Sequence, residues 1–564
     1  MDATASTDAS DRPVRREVVG HLDDLAEGSM KLVKVNGRRV CLIRTAEGVF
    51  ALDQACPHEG YGLTTGQLDG NTVTCAWHNW KFRVSDGRCV LGEEDVVSHD
   101  VDIANDGTLT ITLDDPDPAE KRPVLLASLR SAIEKDYMGQ ASRDVIRLLR
   151  ADADPGQLIW EAVAYGAPRA EFGWGHSIAS LTDCLTMVDR YDGDQRALPI
   201  VQAIAGVAHT ERGRPPWSLP DPLAALPDNP GAELRRLVEA EQLEPAMALV
   251  LGALEDGRGR DELQSWFTPL VSDHLLAYGH GAIYAQKAFQ LLDGIGWERA
   301  ATVLPHLLPS IVYGTREDTL PYCVPFHRGL VDVSWEALAE ASTDADDAAA
   351  EDARSDHGRL ASALLDADRG EAARAATAAI LAGAGLEAVL DAVVFAVSER
   401  MLRYDVAGER DFHDDFGWLD ITHGLTYANA ARWHVAEARR TGDVDPVDLV
   451  RLVLWTVFLA NWTGRHEWHT TVHRTQQVDS LGSDLRSYGT ALQDLALQDG
   501  TTAFIVHAHA VKMSVAATEE ALRLDDRRPL DATHRFLTAP KLERFVAANV
   551  TRSIDFLSGR VMRV

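Results

Sequence analysis

Four residues constrain the fold of this chain more than any other feature: Cys56 and His58 in the segment CPHEG, and Cys75 and His78 in the segment CAWHNW. They follow the patterns C-x-H and C-x-x-H, with sixteen residues between the two pairs. Thiolate and imidazole are metal ligands. Two such pairs can share one small metal group only if they lie on loops whose tips converge, so the spacing predicts a compact domain built around two loops.

Two kinds of metal group use two cysteines and two histidines. Zinc fingers usually pair C-x-x-C with H-x-x-x-H on a helix. A Rieske [2Fe–2S] cluster instead takes two thiolates on one iron and two imidazoles on the other. The interleaved order of cysteine and histidine in this chain favours the cluster over zinc. Because such a cluster passes single electrons, the sequence points to redox chemistry.

Residues 15–113 resemble a Rieske ferredoxin domain, and the segment CPHEGYGLTTGQLDGNTVTCAWHNWKFRVSDGRC carries the resemblance. The resemblance implies a small antiparallel β fold with the cluster near its surface. It also implies that one iron is bound by Cys56 and Cys75 and the other by His58 and His78. Respiratory-type members carry a further cysteine in each loop, which this chain lacks. The chain therefore resembles the ferredoxin or oxygenase type, with a reduction potential near the low end of the Rieske range, about −150 mV.

Composition limits the location and the partners of the protein. Two of the six cysteines are the proposed cluster ligands, and the other four are too scattered to form a disulfide framework, which favours a reducing cytoplasm. A net charge of −31 argues against nucleic-acid binding and would attract a basic electron-transfer partner. No stretch of eighteen apolar residues is present, so we expect no membrane span.

A chain of 564 residues is too long for one domain. Residues 1–14 are polar and predicted to be disordered, residues 15–113 carry the strand patterns, and residues 114–123 form a charged linker. From there to residue 564, apolar residues recur at helical spacing. The sequence therefore predicts a multidomain α and β protein, in which a small antiparallel-β domain precedes a large all-α domain at 124–564, interrupted by an acidic loop at 342–356.

Four similar segments of the helical region each place a histidine at the start of a helical run, which suggests internal duplication: FGWGHSIAS, AYGHGAIYA, DITHGLTYA and FIVHAHAVK. Their histidines are His176, His280, His423 and His507. A cluster that passes electrons needs an acceptor, and oxygen-activating iron is usually held by histidine and carboxylate. The four histidines are therefore candidates for a second iron site. The alternative is four capping or core histidines without metal. Asp420 and His423, which share a helix face, are the candidate catalytic residues.

Two further histidine patterns are less specific. His466, His469 and His473 in RHEWHTTVH share one helix stripe, but they do not form the H-E-x-x-H zinc motif. We interpret them as surface or interface histidines. In FIVHAHAVK, His507 and His509 alternate, so at most one of them faces a given helical core.

The known Rieske oxygenases pair their cluster with a β-rich catalytic domain that carries two histidines and an aspartate. Asp420-Ile-Thr-His423 is similar to the start of that motif, but the next histidine, His434, comes eleven residues later, in helical surroundings. The segments HGAIYA and HGLTYA resemble instead the questin-oxidase-like helical family, over residues 150–564. That resemblance implies oxidation of aromatic polyketides in a Baeyer–Villiger sense.

The sequence contains no G-x-S-x-G, no GxxxxGK[ST] and no dinucleotide-binding G-x-G-x-x-G, so electrons would come from an external reductase or ferredoxin. The leading hypothesis is a cytoplasmic oxidoreductase of the oxygenase or monooxygenase type. In it, the cluster feeds a helical domain that oxidises a small organic substrate with O2, at a histidine-ligated iron. Two alternatives stay open: an electron-transfer protein whose helical domain is a non-catalytic docking module, and a redox or oxygen sensor.

Overall fold

The computed structural model describes residues 15–92, 94–113, 118–343, 357–410, 416–465, 467, 474–498, 500, 503–541 and 546–560. Three predictions lie outside these residues: disorder at 1–14, the acidic loop from residue 344 to 356, and the histidine group His466, His469 and His473. Within the described part of the chain, no helix is both long enough and apolar enough to cross a membrane.

The N-terminal part is an antiparallel β fold of two sheets. The strands are β1 (Arg16–His21), β2 (Ser29–Val35), β3 (Arg38–Thr45), β4 (Gly48–Asp53), β5 (Gln67–Asp69), β6 (Thr72–Thr74), β7 (Lys81–Arg83), β8 (Cys89–Leu91), β9 (Ser98–Ile103) and β10 (Thr108–Thr112). One sheet has the order β1-β10-β9-β4-β3-β2, and the other has the order β5-β6-β7-β8. As the Asn-Gly dipeptide predicts, Asn36 and Gly37 turn β2 into β3 with positive φ angles of 46° and 85°.

Alternating apolar residues on β3 and β4 divide the interior of the β fold into two clusters. Leu42 and Ala51 face one cluster, while Cys41 and Leu52 face the other. The second cluster also contains the two cysteines of the predicted iron site, which places that site at the end of a dry, packed core.

All the regular structure described after the β fold is helical. The helices are α1 (Pro118–Lys135), α2 (Met138–Arg150), α3 (Pro155–Gly166), α4 (His176–Met187), α5 (Ala197–Thr210), α6 (Pro230–Glu239), α7 (Leu243–Glu255), α8 (Arg260–Ser272), α9 (His280–Ile295), α10 (Ala300–Val312), α11 (Val324–Gly329), α12 (Trp335–Thr343), α13 (His357–Asp366), α14 (Arg369–Leu381), α15 (Gly385–Arg403), α16 (Trp418–Thr441), α17 (Pro446–Trp462), α18 (Leu485–Ala496), α19 (Phe504–Leu524), α20 (Arg528–Thr538) and α21 (Val546–Leu557). Helix α1 begins at Pro118, within the segment predicted as a linker, because proline is well suited to the first turn of a helix.

The chain divides into two compact units. One unit contains the described residues up to Ala132 together with Tyr137–Asp152, so helix α2 belongs to the same unit as the β fold. The other unit contains Ile133–Asp136 and the chain from Ala153 onward. In this second unit, α4 packs against α9 and α19, and α16 packs against the same two helices, which closes a ring of four helices. Three of these four helices, α4, α9 and α16, begin directly after a glycine.

Candidate functional site

The two loops of the predicted cluster site have the same backbone geometry. The amide of Cys56 donates to the carbonyl of Tyr61 at 2.8 Å, and the amide of Cys75 donates to that of Trp80 at 2.7 Å. The residue before each of these aromatic residues, Gly60 in one loop and Asn79 in the other, has a positive φ. Each loop is thus a tight turn that begins at a cysteine and closes five residues later. This shared geometry explains why glycine and asparagine are suited to these positions.

The two cysteines form the inner half of this site. Both are buried, with 2% of Cys56 and 3% of Cys75 exposed, and their thiols lie close enough to share a hydrogen bond. Burial and the neighbouring thiol raise the pKa of Cys56 to about 12. The thiolate that iron requires is therefore stable here only when a cation binds beside it.

The two histidines form the outer half. The ring centroids of His58 and His78 lie 4.3 Å apart, and His58 stacks on the buried Trp80 at 4.8 Å. His78 is exposed, and next to it Trp77 stacks on Tyr61 at 4.9 Å. Desolvation and the facing His78 lower the pKa of His58, which keeps its imidazole neutral and available to a metal.

These four side chains fit a [2Fe–2S] cluster. A pair of thiols in the dry core faces inward and a pair of imidazoles reaches solvent, as the unequal ligand sets of the two irons require. A zinc ion would need all four ligand atoms around a single centre. Among the described residues, the potential ligand atoms that lie within 4.8 Å of one another at this site belong to His58, Glu59 and His78, and to neither cysteine. The two cysteines and the two histidines therefore do not surround a single centre.

The second group lies in the ring of four helices. It contains His176, His280, His423 and His509, and one ring nitrogen from each lies within 4.8 Å of those from the other three. Three of the four histidines predicted from the sequence are thus brought together. The fourth position is occupied by His509, and His507, two residues earlier on α19, is outside the group. Residues two apart on a helix point to opposite sides, so only one of this pair can face the ring.

Three of these histidines have a fixed tautomer. The Nδ1 atom of His423 donates to the carbonyl of Leu419 at 2.5 Å, and that of His509 donates to Ile505 at 2.8 Å. His280 is also hydrogen-bonded to the main chain of Ala277, and since its Nε2 faces His423, the nitrogen that makes this bond is Nδ1. A carbonyl oxygen can only accept, so the proton of each neutral ring is on Nδ1 and Nε2 carries a lone pair.

These lone pairs point at one another. The Nε2 atoms of His423 and His280 are 2.8 Å apart, and those of His423 and His509 are 3.2 Å apart. Facing lone pairs at such distances repel, whereas a shared metal cation would satisfy all of them. A backbone carbonyl that holds the far nitrogen of a ligand histidine is the usual second partner of a metal-bound imidazole.

Electrostatics keep these histidines neutral. Burial is the largest cause that lowers the pKa of His423, to about 3, and of His176, His280 and His509 well below the usual value. The side chain of Lys512 adds to this effect, because its Nζ lies 3.0 Å from Nδ1 of His176. Burial also lowers the pKa of Lys512 itself, to about 7. Neutral imidazoles are the form that binds metal.

A second polar layer lies beneath the histidines. Lys287 donates to buried Asp183 at 2.8 Å, and Gln286 donates to Asn429 at 3.3 Å. Each of these residues follows the histidine of its own helix by six or seven positions, so α4, α9 and α16 run in the same direction away from the histidine group. This layer anchors the helices that carry the histidines.

The structure gives the candidate catalytic residue Asp420 a structural role. Its Oδ2 accepts from the amide of Gly417 at 2.8 Å, which caps α16, and its other oxygen lies 3.7 Å from Arg465. Besides His509 and Lys512, sequence reasoning did not single out Tyr278, whose ring centroid lies 5.9 Å from that of His423. It has a left-handed backbone with a φ of 59°, two positions before His280. A tyrosine in this conformation gives no signal in the sequence.

A match to a known family lies within the N-terminal unit. Residues 15–99 match the family model for the Rieske [2Fe-2S] domain. The ferredoxin component of the naphthalene 1,2-dioxygenase/salicylate 5-hydroxylase systems of Ralstonia sp. is 33% identical over 86 residues, which are 15% of this chain and 83% of that protein. The terminal oxygenase component of carbazole 1,9a-dioxygenase from Sphingomonas sp. is 35% identical over 69 residues, which are 12% of this chain and 18% of that protein.

Among solved structures, the ferredoxin of carbazole 1,9a-dioxygenase from Nocardioides aromaticivorans IC177 is 22% identical and matches with a TM-score of 0.17. The match covers 18% of this chain and 98% of that ferredoxin. The family match, the paired cysteines and the paired histidines all fall in the same unit. Residues 15–99 are therefore a Rieske [2Fe–2S] domain, and through them this chain belongs to the Rieske iron–sulfur proteins.

Proposed function

We propose that the chain is an oxidoreductase in which a [2Fe–2S] cluster, held by Cys56, Cys75, His58 and His78, supplies electrons to the helical unit. The helical unit oxidises or oxygenates a small organic substrate with O2, at an iron ion held by the four histidines of the ring. An external reductase or ferredoxin supplies the electrons. The cluster, when bound, contributes the transfer of one electron at a time.

The observation that carries this proposal is the convergence of Nε2 lone pairs from His280, His423 and His509. In the part of the chain that the structure describes, the group consists of four imidazoles and no carboxylate, so a bound Fe²⁺ ion would keep its full positive charge and would have further coordination positions for substrate or O2. His423 and His509 are buried while His176 and His280 are partly exposed, so the group is shielded from bulk water on one side and accessible on the other.

The relatives of the Rieske domain support the redox part of the proposal. They include oxygenase components and a cholesterol 7-desaturase from Xenopus laevis, which is 36% identical over 76 residues. The chain spans less than a fifth of the length of these larger relatives, 16% and 18%. Insertion of one oxygen atom into a substrate, with the other leaving as water, consumes two electrons and two protons. A cluster that delivers single electrons would serve such a reaction in two steps.

Metal analysis tests the proposal. We expect anaerobically purified protein to contain about three irons and two acid-labile sulfides per chain, because the cluster accounts for two of each. The variants His423→Ala and His509→Ala should lose one iron and keep both sulfides. The matched control is His507→Ala, which should keep all three irons, since His507 lies on the same helix outside the group.

Two irons with two sulfides in the unmodified protein would contradict the iron site. That result would favour the reading in which the helical unit is a docking module for electron transfer. Equal loss of iron from the variants at His507 and His509 would show that the effect is one of folding and not of ligation.

A further inference from the structure

Helix α2 belongs to the same compact unit as the β fold and contacts the loop that carries His58, although the Rieske family match ends at residue 99. Tyr137, directly before α2, packs against the core cluster that contains Cys56 and Cys75. Its ring centroid lies 6.1 Å from that of His58. The chain thus adds to its Rieske domain a helical element that reaches one of the proposed iron ligands.

Arg143 is the residue of α2 that contacts this ligand directly. Its Nη1 atom donates to the main-chain carbonyl of His58 at 2.8 Å, and its Nη2 atom donates to Glu94 at 3.3 Å. The side chain is 27% exposed, so it is only partly screened by water. The planar guanidinium fork holds its charge in one place against the cluster loop.

A network of charges fixes Arg143 in this position. Glu94 is 12% exposed and also accepts from Arg147, one helical turn further along α2. Arg147 in turn lies 3.2 Å from Asp144, whose other oxygen accepts from Ser128 of α1 at 2.6 Å. Arg147 makes its contacts with these carboxylates, whereas Arg143 alone of the two reaches the loop that carries His58.

We propose that Arg143 is a positioning residue that raises the reduction potential of the [2Fe–2S] cluster. Reduction adds one electron to the cluster, with no bond made or broken, and so adds one negative charge. A fixed cation beside the site stabilises the reduced form more than the oxidised form. The hydrogen bond to the carbonyl of His58 fixes the position of this charge beside the ligand residue.

Redox titration of the full-length protein tests the proposal. The cluster is reduced with dithionite and reoxidised with ferricyanide in the presence of mediators, and its state is followed by EPR and visible circular dichroism. We expect Arg143→Gln to shift the reduction equilibrium about tenfold toward the oxidised form, which corresponds to about 59 mV for a one-electron couple. Arg143→Lys, which keeps the charge, should shift it by less than half of that potential difference.

Two further variants separate the charge of Arg143 from general disturbance of α2. Arg147→Gln removes a positive charge that lies on the same helix and pairs with the same carboxylate, Glu94, but does not contact the cluster loop. It should shift the reduction potential by less than a third of the shift in Arg143→Gln. Glu94→Gln removes the negative charge paired with Arg143 and should move the potential upward. Iron and sulfide content confirms that each variant holds an intact cluster.

An unchanged potential in Arg143→Gln, or equal shifts in Arg143→Gln and Arg147→Gln, would overturn the proposal. If Arg143→Gln fails to hold its cluster, the Lys variant and Glu94→Gln decide the question, and a downward shift in Glu94→Gln contradicts it. These measurements concern the cluster alone, so their outcome is independent of whether the four histidines bind iron.

Discussion

Glu317 shows how the surroundings of a buried carboxyl group near the four histidines determine its pKa. It is 6% exposed, and burial is the main cause that raises the pKa of its carboxyl group to about 7. The carboxylate accepts hydrogen bonds from the amide of Tyr278 and from the hydroxyl of Tyr322. The charge of Arg465 and the amide of Tyr278 favour the ionised form, but they only partly offset the cost of burial and the repulsion by Asp420.

The variant Glu317→Gln tests this balance. A carboxyl group with a raised pKa in the folded state binds its proton more tightly when folded. Its contribution to stability is therefore complete below about pH 4.5 and is lost as the pH rises to about 7. We expect the variant to be more stable than the parent at pH 8, by about 2 kcal/mol, and to lose this advantage at pH 5. The free energy of unfolding of the helical unit, measured in urea at both pH values, checks the sign. A variant that is less stable than the parent at both pH values would contradict it.

At the scale of single residues, the sequence predicts a complete ligand motif more reliably than it predicts which of two neighbouring histidines is the ligand. The interleaved spacing of Cys56, His58, Cys75 and His78 matches a known cluster pattern and needs no knowledge of the fold. The choice between His507 and His509 depends on the rotational position of α19, which is set by packing against α4, α16, α18 and α20. The repeated sequence pattern aligned His507 with the other segments, but only the helical phase brings His509 to the group.

At the scale of elements, a strained turn determines where α9 begins. Ala277, Tyr278 and Gly279 are three successive residues with positive φ angles of 44°, 59° and 88°. The first two are not glycine, and each costs about 1 kcal/mol or more in this region. The amide of Ala277 donates to Thr315 and that of Glu317 donates to Leu275, so a facing segment holds the turn in place. Strain of this kind is typical of functional sites.

Gly279 is the position at which the turn tolerates least change. A Cβ atom there would lie 2.4 Å from Cγ of Tyr427, in addition to the strain of the left-handed backbone. We expect Gly279→Ala to destabilise the helical unit by about 3 kcal/mol, and to weaken metal binding by the adjacent His280. Thermal unfolding and iron content measure the two effects.

The matched control for this substitution is Gly257→Ala. Gly257 has a similar φ of 83°, but no atom of the described residues lies within 4 Å of an added Cβ. We expect this variant to lose about 1 kcal/mol and to keep its full iron content. Equal losses of stability in the two variants would show that contact with Tyr427 does not matter.

The sequence predicts the helices around this turn but not the turn itself. Helical periodicity and the glycine before His280 indicate where α9 begins. The left-handed conformations of Ala277 and Tyr278 are imposed by contacts with residues 315–317, which are about forty positions away in the chain. Local preference disfavours this backbone, so tertiary contacts decide it.

At the scale of the whole molecule, composition and compactness divide the chain at different places. The helical periodicity begins with α1, so the sequence assigns both α1 and α2 to the helical region. In the structure, Tyr137–Asp152 form one compact unit with the β fold. The contact of Arg143 with the cluster loop and the packing of Tyr137 on its core cause the difference. Such contacts between distant segments are invisible to periodicity.

Because each compact unit has its own buried core, the protein should unfold in two calorimetric transitions. Each metal group stabilises only the unit that holds it, by about 4 kcal/mol when the metal is present at a thousand times its dissociation constant. We therefore expect Cys75→Ser to lower one transition temperature and His423→Ala to lower the other. Removal of the non-cluster iron by a chelator should reproduce the effect of His423→Ala in the parent protein and have no effect in that variant. A single transition that all three treatments lower equally would show that the two units unfold together, and that each metal group stabilises the whole protein and not one unit.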